Sequence, residues 1–361
     1  MNLERWADKW LVAFAPEKTK SLIISNKKDS HKNPSLIFKG KIIEEVSAHT
    51  YLGVLFTGNL SWNKHIHLVE MKARKKLNML QPLKYKLDRK SLDIMFHSFV
   101  SSSMYYAVEV WGGSYDSHLL KLEQIVVDGM RLVTGATARS NIVRLYDDTN
   151  WQSFSQHRDN TMLKMLFKMK NQLAPNYLNE LLPDENQQYN EYNLRNGKNL
   201  KLPITKRESL KRSFIPTAIT LWNSTPINIR QSSSLTEFKT RLRNADLTKI
   251  HYFYGKRWPA ILHARLRIGC SKLNYDLCYN LHLPDINPSC LCGAKHETSK
   301  HFLMHCELYS EIRAVLKRKV ESITKYDFIT LLTGSEDLSL EENRLVFDAV
   351  HEYILETQRF D

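Results

Sequence analysis

The sequence predicts an α+β protein that is mainly α-helical. Before about residue 60, short apolar runs alternate with glycine-containing turns, which is typical of strands and hairpins. After that point, apolar residues recur every three or four positions, which favours helices packed on a core. The 361 residues include 42% hydrophobic and 25% charged side chains, an ordinary globular composition. A chain of this length can form more than one core.

The first sixty residues combine one helix with several strands. Trp6 and Trp10 lie at helical spacing, and residues 21–25 form a short apolar run suited to a strand. Residues 36–38 precede Lys39-Gly40-Lys41, and residues 42–46 return as the partner strand of a hairpin. Next, Tyr51 to Phe56 is interpreted as one strand, ended by Thr57-Gly58-Asn59.

The remaining chain gives a series of helix signals. We expect Ser61 to cap a helix, Asp88 to cap the next, and Gly135 to end a third. A fourth helix follows Trp151 and is broken by Pro175. The apolar stripe of the first of these helices consists of Ile66, Val69, Ala73, Leu77 and Leu80. Near the end, Ser339 and Glu342 fit a reciprocal S-x-x-E capping box.

These signals divide the chain into four expected units. Residues 1–59 contain the strands, and 60–135 form a helical domain. Residues 136–285 form a helical connector with a polar linker at 184–215, and 286–361 form a cysteine-containing helical tail.

The charge distribution indicates a polyanionic partner. The net charge is +14, and residues 1–285 carry 43 basic against 25 acidic side chains, whereas residues 286–361 carry 9 against 13. A basic surface concentrates polyanions, so nucleic acid is the first candidate and an anionic membrane the second. With no apolar run long enough to span a bilayer and no signal-peptide core, we expect a soluble intracellular protein, nuclear or cytoplasmic.

The densest basic cluster spans the first two predicted helices and the loop between them. Such a cluster binds phosphates without reading sequence, although a solvated helix face is the alternative. Tyr85 could stack on a base, whereas core packing is expected for Trp62. The cluster consists of Lys72, Arg74, Lys75, Lys76, Lys84, Lys86, Arg89 and Lys90. Weaker basic groups lie at Lys206, Arg207, Lys211, Arg212, Lys256 and Arg257.

All five cysteines lie in the last quarter of the chain, which favours a metal site over a disulfide framework. Cys290, Cys292, His301 and Cys306 supply a tetrahedral set for a structural Zn²⁺ ion. The single residue between the first two cysteines is an unusual spacing, and His296 and His305 are rival fourth ligands. Buried reduced thiols are the alternative, and Cys270 and Cys278 are expected to be buried or incidental.

The adjacent aspartates Asp147 and Asp148 are similar to a polymerase metal site, but two-metal chemistry needs a third carboxylate and a strand turn. We expect them instead to cap the helix that contains Trp151. Phosphate-binding glycine loops, nucleophile elbows and H-E-x-x-H helices are absent from the sequence.

Several of these segments resemble the reverse transcriptases of non-LTR (LINE-type) retrotransposons. The residues Phe14 to Lys20, after Trp6 and Trp10, look like the palm segment that follows the catalytic hairpin. The segment Tyr51, Leu52, Gly53 and Val54 looks like that family's primer-grip strand. The four zinc-ligand candidates fall where that family has its knuckle, and Leu173-Ala174-Pro175 and Ala264 to Arg267 resemble the region between thumb and knuckle.

The resemblance implies a palm remnant at 1–59, a thumb at 60–135 and a zinc knuckle in the tail. It implies that Lys18, Lys20, the primer-grip strand and the basic thumb hold an RNA or DNA primer–template. The family's aromatic-x-Asp-Asp hairpin is not found, so we expect no catalytic Mg²⁺ site and no polymerisation by this chain alone. A separate fingers–palm polypeptide is a further expected partner. The alternative is a non-enzymatic, zinc-binding interaction protein derived from a retrotransposon.

Overall fold

The computed structural model describes residues 2–15, 17–25, 34–38, 40–185, 199–243 and 251–361. The predicted fold class is confirmed, because helices dominate and the strands form small separate pairs. Within the described ranges, none of the helices is both long and apolar enough to cross a bilayer.

The strands lie in the first sixty residues. They are β1 (Lys20–Ser21), β2 (Ile37–Phe38), β3 (Lys41–Ile42), β4 (Glu44–Glu45), β5 (Ala48–Tyr51) and β6 (Val54–Thr57). β1 pairs with β4 in parallel, whereas β2–β3 and β5–β6 are antiparallel. The predicted hairpin at Gly40 is confirmed, with φ +75° at that glycine; Lys39 lies outside the described residues.

The helices follow in chain order. The first group is α1 (Asn2–Lys9), α2 (Asn63–Leu80), α3 (Arg89–Met95), α4 (Ser102–Met104), α5 (Val108–Trp111), α6 (Asp116–Thr134), α7 (Ile142–Thr149), α8 (Phe154–Lys170) and α9 (Asn176–Asn179). The second group is α10 (Glu208–Lys211), α11 (Phe214–Ser224), α12 (Ile227–Arg230), α13 (Leu235–Arg243), α14 (Arg257–Ile268), α15 (Ser299–Met304), α16 (Ser310–Glu321), α17 (Phe328–Thr333) and α18 (Leu340–Glu356). A π-helical turn, Phe96–Ser101, joins α3 to α4.

The helix caps test the local predictions. Asp88 accepts a hydrogen bond from the Ser91 N–H at 2.9 Å, and Ser339 forms the predicted capping box. Gly135 ends α6 with φ +77°, a left-handed conformation that favours glycine. The Ser61 prediction is wrong, because Trp62 occupies the N-cap of α2 and makes no side-chain cap.

Three hydrophobic cores hold the helices together. The first core joins α2, α6 and the π-helical turn around Trp111, and it includes all five residues of the predicted α2 stripe. The second core joins α14 and α16–α18 around Tyr353. The third core joins α8, α11 and α13 around Trp222. Ala264 and Ile268 of α14, which lie within the predicted connector 136–285, belong to the first core. The predicted domain boundaries at 135 and 285 stay predictions.

The predicted polar linker is structured at its described ends. Leu200 is buried in the third core, and Glu185 forms an antiparallel bridge with it. Helix α10 occupies part of the remainder. Residues 186–198 lie outside the described part of the chain.

Candidate nucleic-acid interface and metal centre

The predicted single strand Tyr51–Phe56 is interrupted by a hairpin turn: Tyr51 ends β5, Leu52 and Gly53 form the turn, and Val54–Phe56 lie in β6 as predicted. Leu52 and Gly53 have φ values of 45° and 80°, so two successive left-handed residues reverse the chain between β5 and β6. Two positive φ values are the signature of a type I′ turn. The Tyr106 hydroxyl donates to the Leu52 carbonyl at 2.9 Å and holds the tip, where Tyr51 and Leu52 are 63% and 72% exposed.

A buried histidine fixes this hairpin to α2. The Leu55 N–H donates to Nδ1 of His65 at 3.2 Å, and the His65 ring packs edge-on against Trp111. Burial, aided by the nearby Lys72 charge, lowers the pKa of His65, which keeps the ring neutral and able to accept this bond. The hairpin tip and the exposed face of α2 therefore have a defined relative position.

The outward face of α2 is basic and partly apolar. Lys72 and Lys75 are exposed, and within the described ranges neither side chain forms an ion pair with a carboxylate. Met71 and Met79 lie on the same exposed side and are 56% and 60% exposed. In the loop after α2, Tyr85 is exposed as expected, whereas Trp62 packs against the first core. Lys86 and Lys90 are exposed nearby.

Four members of the predicted basic cluster form contacts within the protein or are buried in it. Arg74 pairs with Glu70 through Nε at 3.0 Å, and the Lys76 ammonium donates to the Phe99 carbonyl at 2.9 Å. Lys84 is half-buried, and burial lowers its pKa. Arg89 is only 3% exposed, so its assignment to a nucleic-acid surface is wrong.

The two other predicted basic positions differ from each other. Lys18 is exposed, whereas Lys20 forms an ion pair with Glu44 on the neighbouring strand. Both stay predictions as nucleic-acid contacts, with Lys18 the freer side chain.

Arg89 belongs to a buried ion triad. Its Nη1 lies 2.8 Å from Oδ2 of Asp148, and Nε of Arg267 donates to Oδ1 of the same carboxylate at 2.7 Å. Burial by itself would raise the pKa of Asp148, but the two guanidinium groups bring it below its usual value.

The predicted capping role of the aspartate pair is wrong, because Asp147 and Asp148 both lie inside α7 and Ser153 caps α8.

Arginines of α14 contact the end of α6, a role the sequence analysis missed. Arg257 donates to the Leu132 and Val133 carbonyls at 3.0 and 2.6 Å, and Arg265 donates to the Gly135 carbonyl at 2.9 Å. Carbonyls at a helix C-terminus lack intrahelical donors and favour cations. Arg257 thus serves packing between the first and second cores, not a secondary nucleic-acid patch. The only sequence signal was the spacing of arginines along one helix.

The structure brings Cys290, Cys292, His301 and Cys306 together. Their ligand atoms all lie within 4.8 Å of one another, with the Cys290 and Cys306 sulfurs 3.6 Å apart and the Cys292 sulfur 3.3 Å from His301 Nε2. Tetrahedral Zn–S bonds of about 2.3 Å place sulfurs roughly 3.8 Å apart, so the set fits a metal ion. Burial raises the pKa of the Cys306 thiol to about 12, and a bound cation would favour its thiolate.

Local structure explains this convergence. Gly293 adopts φ +94°, and the Cys290 N–H donates to the Ala294 carbonyl at 2.9 Å, so the chain turns tightly enough for the unusual single-residue spacing. The Thr298 hydroxyl caps α15 by accepting from the His301 N–H at 3.0 Å, which orients that helix. The rival ligands His296 and His305 are not in the cluster.

No protein-family profile and no solved structure matches the chain. It is similar to the RNA-directed DNA polymerase from mobile element jockey of Drosophila melanogaster, with 25% identity over 136 residues, 37% of this chain and 15% of that protein. The probable RNA-directed DNA polymerase from transposon BS of the same fly is 22% identical over 155 residues, 41% of this chain and 17% of that protein.

These relatives are polymerases of mobile elements. The chain is accordingly related to the reverse transcriptases of non-LTR retrotransposons, which confirms the resemblance drawn from the sequence. The match covers about 15% of the length of the jockey polymerases from two Drosophila species.

Proposed function

We propose that this chain is a nucleic-acid-binding carboxy-terminal part of a LINE-type reverse transcriptase. The observation that supports this proposal is that His65 joins the hairpin to α2, the helix that carries the exposed lysines. Exposed lysines neutralise phosphates and release counterions, and the exposed Tyr51 at the hairpin tip offers an aromatic face on which a base can stack. A primer–template duplex is the proposed ligand, because the relatives are RNA-directed DNA polymerases.

Fluorescence anisotropy with a labelled RNA/DNA hybrid across a salt series tests this proposal. We expect Lys72→Glu with Lys75→Glu to bind weakly and to reduce the slope of log affinity against log salt by about 2. The control is Lys317→Glu with Arg318→Glu on α16, which changes the net charge equally at exposed positions elsewhere. If the two double variants bind alike, the α2 surface is not the interface.

The metal centre is proposed to hold Zn²⁺ in a structural role. Three thiolates and one imidazole are the donors that zinc prefers, and all four positions are filled by protein side chains, as in closed structural sites. Inductively coupled plasma mass spectrometry should detect about one zinc ion per molecule of the purified chain. The same measurement should detect no zinc in a Cys292→Ser, Cys306→Ser variant.

Polymerisation is not proposed for this chain. Asp148 is buried between Arg89 and Arg267, where it is unavailable to metal-bound nucleotide. A primer-extension assay is expected to show no template-dependent synthesis, and synthesis above that of a protein-free control would contradict this expectation.

A fingers–palm polypeptide is the second proposed partner. The first forty-two residues expose large apolar side chains, including Trp10 at 61%, Leu11 at 93% and Ile42 at 71%. Large apolar side chains exposed in this number are candidate contacts for another polypeptide. Co-purification with a separately expressed fingers–palm chain tests this, and Trp10→Asp with Ile42→Asp should abolish the complex.

A further inference from the structure

A groove runs along the surface between α16 and α18 and encloses about 320 Å³. Its floor is apolar and combines side chains from both helices. Leu316 and Tyr353 are each 2% exposed and form the deep part, while Val315 is 41% exposed at the mouth. The remaining apolar lining residues are Ile312 and Ala349.

The rim of this groove is acidic. Glu311, Glu352 and Glu356 line it with a single lysine, Lys319. The Lys319 ammonium forms an ion pair with Glu352. Within the described part of the chain, neither Glu311 nor Glu356 forms an ion pair with a basic side chain.

The acidic potential extends beyond the groove. Burial, together with the carboxylates of Glu341 and Glu352, raises the pKa of Asp348 on α18. Residues 286–361 are also the part of the sequence in which acidic side chains outnumber basic ones, by 13 to 9. Phosphates and anionic lipid surfaces are repelled by such a rim, so the proposed nucleic-acid interface on α2 does not extend here.

We propose that the groove between α16 and α18 binds a basic amphipathic helix of a partner protein. An apolar groove between two helices can accept the apolar face of a third helix. Apolar side chains at positions i and i+4 of that third helix would enter the groove. From Glu311 to Lys319 the groove follows roughly 12 Å of α16, or about two turns, which matches two such anchors. Lysine or arginine beside the anchors would pair with Glu311 and Glu356.

The experiment uses the full 361-residue chain, treated with nuclease, and a labelled helical peptide. The peptide has about 16 residues, with leucines at i and i+4, lysines flanking them and alanine elsewhere. Fluorescence anisotropy should show saturable binding that weakens with salt. The same peptide with glutamate in place of lysine should not bind, because the rim would repel it.

Two substitutions test the groove itself. Val315→Asp at the mouth should weaken peptide binding by about tenfold or more, since it places a charge against a buried leucine. Glu311→Gln with Glu356→Gln should weaken it by roughly three- to tenfold and flatten the salt dependence. The matched controls are Leu345→Asp, at an exposed α18 position outside the groove, and Glu336→Gln with Asp337→Asn. Each control should change affinity by less than about twofold.

Three results would overturn the proposal. The first is no binding of the lysine peptide at about 100 μM, and the second is equal binding of the glutamate peptide. The third is self-association of the chain, seen by sedimentation without peptide and abolished by Val315→Asp, which would make a second copy the occupant.

Discussion

Replacing Asp148 with asparagine should destabilise the protein strongly. The side chain keeps its shape but loses the charge that lies between Arg89 and Arg267, which are 3% and 6% exposed. Breaking a buried ion pair by removing one partner costs about 3–5 kcal/mol, because the remaining charge is left buried and uncompensated. Arg89 still donates to the backbone carbonyl of residue 148 at 2.8 Å, so we expect about 4 kcal/mol rather than twice the single-pair value.

Urea unfolding followed by far-ultraviolet circular dichroism measures this loss. A domain is usually stable by only about 5–15 kcal/mol, so the unfolding midpoint of Asp148→Asn should fall conspicuously. Asp147→Asn is the matched control, since Asp147 is exposed on the same helix and should change the free energy of unfolding by under about 0.5 kcal/mol.

A triple variant separates charge from packing. Replacing the triad together, as Arg89→Met, Asp148→Leu and Arg267→Met, should recover most of the stability, because a buried ion cluster contributes little beyond an apolar one of similar volume. A loss of less than about 1 kcal/mol in the free energy of unfolding of Asp148→Asn, the size of an ordinary substitution, would contradict a stabilising role for the Asp148 charge.

Three further predictions concern other parts of the structure. Burial, with the Arg267 charge, lowers the pKa of His351 to about 4, so at this residue only the unfolded state gains a proton between about pH 6.5 and 4. His351 alone should therefore contribute a fall in stability of about 1.4 kcal/mol per pH unit over that range. A His351→Gln variant should show a shallower decline in urea midpoint, and an equal decline would contradict the assignment. Chelation of zinc should lower the melting temperature of the native chain and leave Cys306→Ser unchanged; identical shifts in both proteins would exclude a metal at that cysteine. Gly53→Ala should destabilise by about 1–2 kcal/mol, because a Cβ at φ +80° would be strained and 3.2 Å from the Tyr106 ring; a neutral effect on thermal unfolding would argue against the type I′ turn.

The sequence by itself determined the local features of this protein. The α2 stripe was readable because its apolar residues recur at helical spacing, and all of them are buried. The caps at Asp88 and Ser339 were readable because the donor and acceptor lie three residues apart. Clustering of the cysteines near a histidine predicted the ligand set that the structure assembles.

Only the tertiary structure decided which charges face solvent. Arg89 and Asp148 lie 59 residues apart in the chain, and Arg267 lies 119 residues beyond Asp148. No local sequence pattern could therefore predict their ion triad. Lys76 could not be distinguished from its exposed neighbour Lys75 by sequence either. In the structure the Lys76 ammonium donates to the Phe99 carbonyl and lies over the Phe99 ring. Helical periodicity reports which side of a helix is apolar, but the fate of each polar side chain depends on partners brought together by folding.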